Sequence, residues 1–147
     1  MIASVSRRPG SARCYANGTL LTDADFERYE HALNTAAIVG NMPVRFGLCV
    51  QRADLRSFPT DDAVYVPGSS VQLDRFQESG LFPADVVAVL HQSADGGWLF
   101  VQSFNYLAWV RSDTIAIGNR EHVFAYEGRG DFLVVTGDKL ITDVCPQ

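Results

Sequence analysis

The stretch from Asp95 to Val110 constrains the fold more than any other part of the chain. It reads DGGWLFVQSFNYLAWV and contains two short apolar runs, each with a tryptophan, joined by SFNY. The valine-rich run DVVAVLHQS precedes it, and Gly96 and Gly97 favour a tight turn because glycine reaches positive φ at little cost. The pattern predicts consecutive antiparallel strands. We expect one tryptophan, Trp98 or Trp109, in the core and the other at the rim of a small barrel.

The sequence before this stretch shows two different patterns of apolar and polar residues. Residues 44–60 alternate in the manner of a β-strand and place Phe46, Leu48 and Val50 on one side. Residues 73–85 mix ionic and apolar side chains without a clear period, which predicts a long folded connection.

The N-terminal part predicts one helix. Thr22 with Asp25 three places later resembles a capping box, and the apolar residues that follow recur at helical spacing. We predict a helix from Asp23 to Asn34, and weak order for residues 1–18, which are small and turn-forming.

The C-terminal part predicts a second hairpin, with strands at 123–126 and 132–135 around a glycine turn at 128–130. Many short strands, glycine turns and one preceding helix together predict a mostly-β protein: a small barrel with an N-terminal helix and a C-terminal β-hairpin.

Composition narrows the classes of function. The chain has 147 residues and is 47% hydrophobic, an ordinary globular balance. Its formal net charge of -5 argues against a nucleic-acid partner, because such proteins usually carry a basic patch. No apolar run reaches the length of a membrane span, and no signal peptide is visible at the start.

Neither a cofactor site nor a metal site is predicted. The three cysteines and three histidines lack metal-ligand spacing, and no glycine-rich nucleotide-binding motif occurs. The candidate nucleophile is Cys49, with His91 or His122 as its general base. Catalytic cysteines usually begin an exposed helix, whereas Cys49 lies within a strand pattern, which favours a core role. The sequence does not decide whether Cys14 and Cys145 form a disulfide, since the spacing of cysteines does not fix their connectivity.

The acidic residues of the connection at 73–85 are candidates for binding a cation. A carboxylate flanked by aromatic residues suits a free amine, because charge orients the ligand and the aromatic wall excludes water. The alternative is that Asp74 forms a structural ion pair with one of three nearby arginines: Arg52, Arg56 or Arg75.

Four local signatures resemble a known family. They are Arg-Ala-Asp-Leu-Arg followed by Pro-Thr, Asp-Arg-Phe-Gln, Ser-x-Asp-Gly-x-Trp, and Tyr-x-x-Trp-Val. Together they resemble the first bacterial SH3 domain (SH3b1 type) of NlpC/P60 cell-wall peptidases, from about Val44 to Ile117. The resemblance divides the chain into an N-terminal helical segment (1–42), an SH3b1-like barrel (43–118) and a hairpin or linker towards a further domain (119–147).

The resemblance implies an accessory role without catalysis. In the family this barrel packs against a papain-like catalytic domain and helps wall the groove that receives a murein stem peptide, often one with a free N-terminal L-alanine. That catalytic domain cuts the γ-D-glutamyl–diaminopimelate bond. We expect the chain to have no catalytic residue of its own.

The resemblance also suggests ligand-binding residues. Tyr106 and an acidic residue, Asp85 or Asp74, are candidates for the amine-binding side of the groove, and Gln77 for a hydrogen bond to the peptide. Trp109 belongs to the same set of candidates, with building the barrel as its alternative role.

The expected partners follow from the same resemblance. They are a murein peptide and either an NlpC/P60 catalytic domain or a second SH3b domain. The alternative is a purely structural interaction domain without ligand recognition. If the parent protein is exported, the expected location is the bacterial cell envelope or periplasm.

Overall fold

The computed structural model describes residues 1–69 and 73–127, the side chains as far as Tyr126. The α-helices of these residues are α1 (Ile2–Val5), α2 (Asp23–Ala32) and α3 (Arg120–Glu127), and short 3₁₀ turns cover Thr35–Ala37 and Ser112–Thr114. The strands found in the same part of the chain are β1 (Arg45–Cys49), β2 (Ala53–Arg56), β3 (Gln77–Leu81), β4 (Val86–Gln92), β5 (Trp98–Gln102), β6 (Leu107–Arg111) and β7 (Ile115–Gly118). The strands that the structure describes lie within the 43–118 range, although the division into domains stays a prediction.

The strands form one antiparallel sheet in the order β3-β2-β6-β5-β4-β1-β7. The hairpins expected around Asp95 to Val110 are present: β4 pairs with β5, and β5 with β6. The mostly-β, SH3-like prediction is confirmed, but the sheet is open, since within the described residues no ladder joins β3 to β7.

The hairpin of β5 and β6 is buried on both of its faces. One face contributes to a first core cluster, made of Cys49, Ala53, Leu55, Leu81, Val87, Val89, Leu99, Val101, Ala108, Val110 and Ile115. The other face contributes to a second core cluster, made of Ile2, Tyr29, Leu33, Phe58, Val64, Phe76, Trp98, Phe100 and Trp109. Both tryptophans are therefore in the second cluster, 3% and 0% exposed, and neither lies at a rim as expected.

The N-terminal residues cover this second cluster and are not weakly ordered as predicted. Ile2 of α1 is buried, and the Ser6 hydroxyl links two parts of the domain. It donates a hydrogen bond to the Ser57 carbonyl (2.7 Å) and accepts one from Trp109 Nε1 (3.0 Å). A buried indole N–H needs a partner, so the second core cluster is complete only with this turn in place.

The predicted helix is α2, and Thr22 and Asp25 form the capping box that the sequence indicated. The Thr22 hydroxyl accepts from the Asp25 backbone N–H, and the Asp25 carboxylate accepts from the Thr22 N–H, so two unpaired helix donors are satisfied. Tyr29 is 1% exposed and packs edge-on against Phe76 at a centroid distance of 5.4 Å, which places α2 on the second cluster.

Strand β1 has the opposite orientation to the one that its large apolar residues suggest. Gly47 and Cys49 are buried, whereas Val50 beyond the strand is exposed. A Cβ atom at Gly47 would lie 2.6 Å from Ile115 Cγ2, so the close approach of β7 leaves room only for glycine.

Two elements differ from the sequence predictions. The connection at 73–85 contains the edge strand β3, which pairs with β2 through a bulge. The C-terminal segment 120–127 is the helix α3, where a strand at 123–126 was predicted. The Asn119 side chain accepts from the Glu121 N–H (2.8 Å) and starts this helix, and helical spacing brings Val123 to the core. The second strand of the predicted hairpin, its turn and Cys145 lie outside the described residues.

Replacing Ser6 with alanine should destabilise the domain by about 1–3 kcal/mol, because the Trp109 N–H and the Ser57 carbonyl would be buried without a partner. Chemical denaturation measures this change. The matched control is Ser4→Ala, which removes an exposed hydroxyl two residues away. Equal stability of the two variants would contradict the bridging role of Ser6.

The turn between β3 and β4 contains a strained alanine. Ala84 has φ of 80°, a region that costs residues with a Cβ roughly 1–2 kcal/mol. Ala84→Gly should therefore raise the free energy of unfolding by up to about 1 kcal/mol, after the larger unfolded-state entropy of glycine is counted. Ala12→Gly, in an exposed loop without positive φ, should not stabilise, and urea unfolding of both variants checks the contrast.

Candidate functional site

The loop between β5 and β6 holds Tyr106 in a fixed position. Ser103 N–H donates to the Tyr106 carbonyl (2.8 Å), and Tyr106 N–H donates to Ser103 Oγ (3.1 Å). Gln102 Nε2 donates to the Ser103 carbonyl at 2.7 Å. The half-buried Tyr106 ring packs against the first core cluster. The loop therefore presents the phenol from a rigid base.

The acidic partner of Tyr106 is Glu78 on β3. The Tyr106 hydroxyl donates to Glu78 Oε2 at 2.7 Å, and the second carboxylate oxygen makes no hydrogen bond within the described residues. The hydrogen bond to Glu78, together with burial, raises the pKa of Tyr106. The phenol is thus a neutral donor over the physiological range, beside a carboxylate whose second oxygen has no partner among residues 1–69 and 73–127.

These two side chains lie at a shallow cavity of about 310 Å³. Its lining combines polar groups with two apolar side chains and comes from α1, β3 and the β5–β6 loop: Ser4, Val5, Glu78, Asn105, Tyr106 and Leu107. The Asn105 amide makes no side-chain hydrogen bond in the described part of the chain. A carboxylate, a phenol and an amide around an open cavity are suited to a ligand with an ammonium group and a peptide bond.

Asp74, one of the two acidic candidates, has a structural environment. Asp74 Oδ2 lies 2.9 Å from the Arg56 guanidinium, with 14% and 8% of the two side chains exposed. Asp74 Oδ1 accepts from the backbone N–H groups of Val64 and Phe76, both at 3.0 Å. This ion pair is the alternative that the sequence left open, and it leaves neither oxygen for a ligand.

Asp85, the other acidic candidate, closes the β3–β4 turn. Asp85 Oδ2 accepts from the Phe82 N–H at 2.8 Å, and its carbonyl accepts from the Cys49 N–H. The Tyr106 hydroxyl meets Glu78, so the structure does not bring Asp85 or Asp74 to the phenol.

The remaining two candidates lie in different surroundings. Gln77 is exposed at the start of β3, next to Glu78, and donates to Asp54 Oδ1 at 3.0 Å. Trp109 is fully buried and hydrogen-bonded to Ser6, so its candidacy for ligand contact is corrected to the alternative role of building the core.

Glu78 was not among the predicted site residues, because residues 73–85 show no clear period in the sequence. Had β3 been recognised, alternation along the strand would have separated the exposed Glu78 from the buried Leu81.

Cys49 lies in the environment of a core residue. Cys49 is 2% exposed, and burial raises the pKa of its thiol, the opposite of what an activated nucleophile needs. The ring nitrogen Nε2 of His91 lies 3.2 and 3.0 Å from the carbonyls of Leu33 and Asn34. Because carbonyls only accept, this nitrogen is the protonated donor and ties the end of α2 to β4.

Residues 1–69 and 73–127 contain neither a metal centre nor a membrane-spanning helix. No cluster there of three or more His, Cys, Asp or Glu side chains is arranged to hold a metal ion. No helix in these residues is long and apolar enough to cross a bilayer.

Residues 62–111 match the family model of the SH3 domain of SH3b1 type. The chain contains a bacterial SH3b1 domain. The matched range begins in the loop after β2, includes Glu78 and Tyr106, and ends with β6. The sequence matches none of the curated proteins.

The chain is also similar to part of a solved structure, an NlpC/P60 endopeptidase from Photobacterium damselae subsp. piscicida. The TM-score is 0.70 at 24% sequence identity, a likeness of fold. The match covers 86% of this chain and 29% of that one, so this chain spans less than a third of that endopeptidase.

The raised pKa of Tyr106 can be measured in the SH3b1 domain. Ring carbon chemical shifts of labelled tyrosine, assigned with Tyr106→Phe, should show Tyr106 titrating above the ordinary pKa of tyrosine. In Glu78→Gln the pKa should fall, because the phenolate no longer forms beside a carboxylate. A titration that is the same in both proteins would show that the hydrogen bond is absent in solution.

Proposed function

We propose that this chain is a non-catalytic SH3b module that binds murein stem peptides and positions them for an NlpC/P60 γ-D-glutamyl-diaminopimelate endopeptidase, onto which it docks. The observation that carries the proposal is the hydrogen bond between Tyr106 and Glu78 at the open cavity. In this proposal Glu78 takes the acidic role expected of Asp85 or Asp74.

The chemistry of the pair fits the free amine of an N-terminal L-alanine. The second oxygen of Glu78 accepts a hydrogen bond from the ammonium group, and the aromatic ring of Tyr106 offers a favourable surface for the same cation. Asn105 supplies a donor and an acceptor for the first peptide bond. Because Glu78 is exposed, the electrostatic gain is modest, and we expect a dissociation constant between millimolar and micromolar.

Two observations support the docking part of the proposal. The similar solved structure is an NlpC/P60 endopeptidase in which the matched part is a minor fraction of the chain. Phe104, at the tip of the loop that carries Tyr106, is 98% exposed. A fully exposed phenylalanine beside a ligand cavity suits contact with a neighbouring domain.

The proposed ligand determines where the module acts. Murein lies outside the cytoplasmic membrane, so the module acts in the bacterial cell envelope or periplasm as part of an exported parent protein.

An NMR titration with L-Ala-γ-D-Glu-diaminopimelate tests the ligand part. We expect resonances of Tyr106, Glu78 and Asn105 to shift on binding, and those of Asp74 and Trp109 to stay in place. Acetylation of the peptide amine should weaken binding by about tenfold or more, because the acetyl group removes the charge that Glu78 recognises. Glu78→Gln should weaken binding similarly, while Glu27→Gln on the exposed face of α2 should not.

The alternative is a purely structural interaction domain, which the exposure of Phe104 also favours. Mixing the protein with an NlpC/P60 catalytic domain separates the two functions. Complex formation combined with no peptide-induced shift at Tyr106 or Glu78 would replace the murein-binding proposal with this alternative.

A further inference from the structure

A second cavity lies at the end of α2 and is separate from the one that contains Tyr106 and Glu78. It has a volume of about 290 Å³, and the two cavities have no lining residue in common. Its lining comes from the end of α2, the connection from α2 to β1, the start of β1 and the strand β4. This volume is close to the lower limit of the clefts that hold small organic molecules in proteins.

Much of the lining of this second cavity is apolar. Ala37, Met42 and Pro43 contribute to it from the connection, and Leu90 contributes from β4. Met42 is 42% exposed, so a ligand in the cavity would remove part of this apolar side chain from water. The flexible, polarisable thioether of methionine packs well against aliphatic and aromatic groups alike. The cavity therefore favours a ligand with an apolar body.

Among the described residues, Arg45 brings the formal charge of this lining. It begins β1 and lies opposite Val89 in the pairing of β1 with β4, so the cation is beside the strand that forms another wall. Within residues 1–69 and 73–127, Arg45 forms no ion pair and no Asp or Glu lines the cavity. A guanidinium group binds a carboxylate through two parallel hydrogen bonds. The cavity thus combines an apolar lining with a cation suited to a carboxylate.

The walls from α2 and β4 are joined to each other. His91 Nε2 on β4 donates to the carbonyls of Leu33 and Asn34 at the end of α2. The Asn34 side chain donates in turn to the Gln92 carbonyl at 3.4 Å. These hydrogen bonds hold the two elements together in the free protein, and a preformed site lowers the entropy that a ligand must overcome on binding.

We propose that this second cavity binds a small apolar carboxylic acid in its ionised form. The carboxylate pairs with Arg45, and the hydrocarbon body lies against Met42 and Leu90. The site goes beyond the proposed function and does not depend on it, because no residue of the murein-binding site takes part. Arg45 is exposed, so the ion pair contributes modestly, and we expect a dissociation constant of about 1 mM.

An NMR titration of the whole chain with 3-phenylpropanoate tests the site, because the aromatic ring of this acid shifts the resonances of nearby protons. We expect saturable shifts of the Met42 methyl group and the Arg45 Nε–H. The uncharged analogue 3-phenylpropanamide should bind about threefold to tenfold more weakly. Arg45→Gln should lower the affinity for the acid to that for the amide. Arg52→Gln, at an exposed arginine outside the lining, should leave it unchanged.

A second pair of variants tests the cavity itself. Ala37→Leu enlarges a side chain of the lining and should abolish the shifts in a protein whose spectrum shows it to be folded. Ala36→Leu, at the exposed neighbouring residue outside the lining, should preserve them.

Equal affinity of the acid and the amide would overturn the assigned ligand class. The site itself would be overturned by binding that Ala37→Leu leaves unchanged, by shifts confined to the cavity of Tyr106, or by the lack of a saturable shift in the wild-type protein. Each of these results leaves the murein-binding proposal intact, because that proposal is tested with a different ligand at different residues.

Discussion

The burial of the β5–β6 hairpin on both faces is the constraint on which the rest of the structure depends. Neighbouring residues along each strand point to opposite sides, so Leu99 and Val101 enter one core cluster while Trp98 and Phe100 enter the other. The buried residues of the first cluster all belong to strands, so the sheet itself covers that face of the hairpin. The other face requires α1, α2 and the loop around Phe58. The N-terminal segment is therefore an integral layer of this domain.

This arrangement also explains the position of the candidate site. The loop that ends the central hairpin carries Tyr106, the edge strand β3 carries Glu78, and α1 supplies Val5. All three elements contribute residues to the lining of the cavity. The cavity lies where the sheet edge and the added layer meet, and its side chains are positioned by elements distant in sequence.

The sequence predicted those parts of the fold whose signals are local. The hairpin turn at Gly96, the strand alternation around it and the capping box at Thr22 each act within a few residues, and the structure contains them all. The four signatures gave the SH3-like class. The helix α3 was missed because Val123 and Phe124 favour strands by composition, and the capping by Asn119 gives a weaker signal.

The site was predicted only in part, for a related reason. Tyr106 was found because it belongs to a signature, but its acidic partner depends on which residue of β3 the sheet brings near it. The bulge between Leu55 and Arg56 shifts that register, and no pattern in residues 73–85 reveals it. Asp74 was a candidate because it is a carboxylate in a connection between strands. In the structure its two oxygens bind Arg56 and two backbone N–H groups, which the sequence pattern does not reveal.

The hydrogen bond between Trp109 and Ser6 has a spectroscopic consequence. The chain has two tryptophans, and both are shielded from solvent, but Trp109 alone donates its indole N–H to the N-terminal turn. Detachment of that turn would hydrate this indole first and move its fluorescence emission to longer wavelength. The protein thus contains an intrinsic optical reporter for the layer that completes both its core and its cavity.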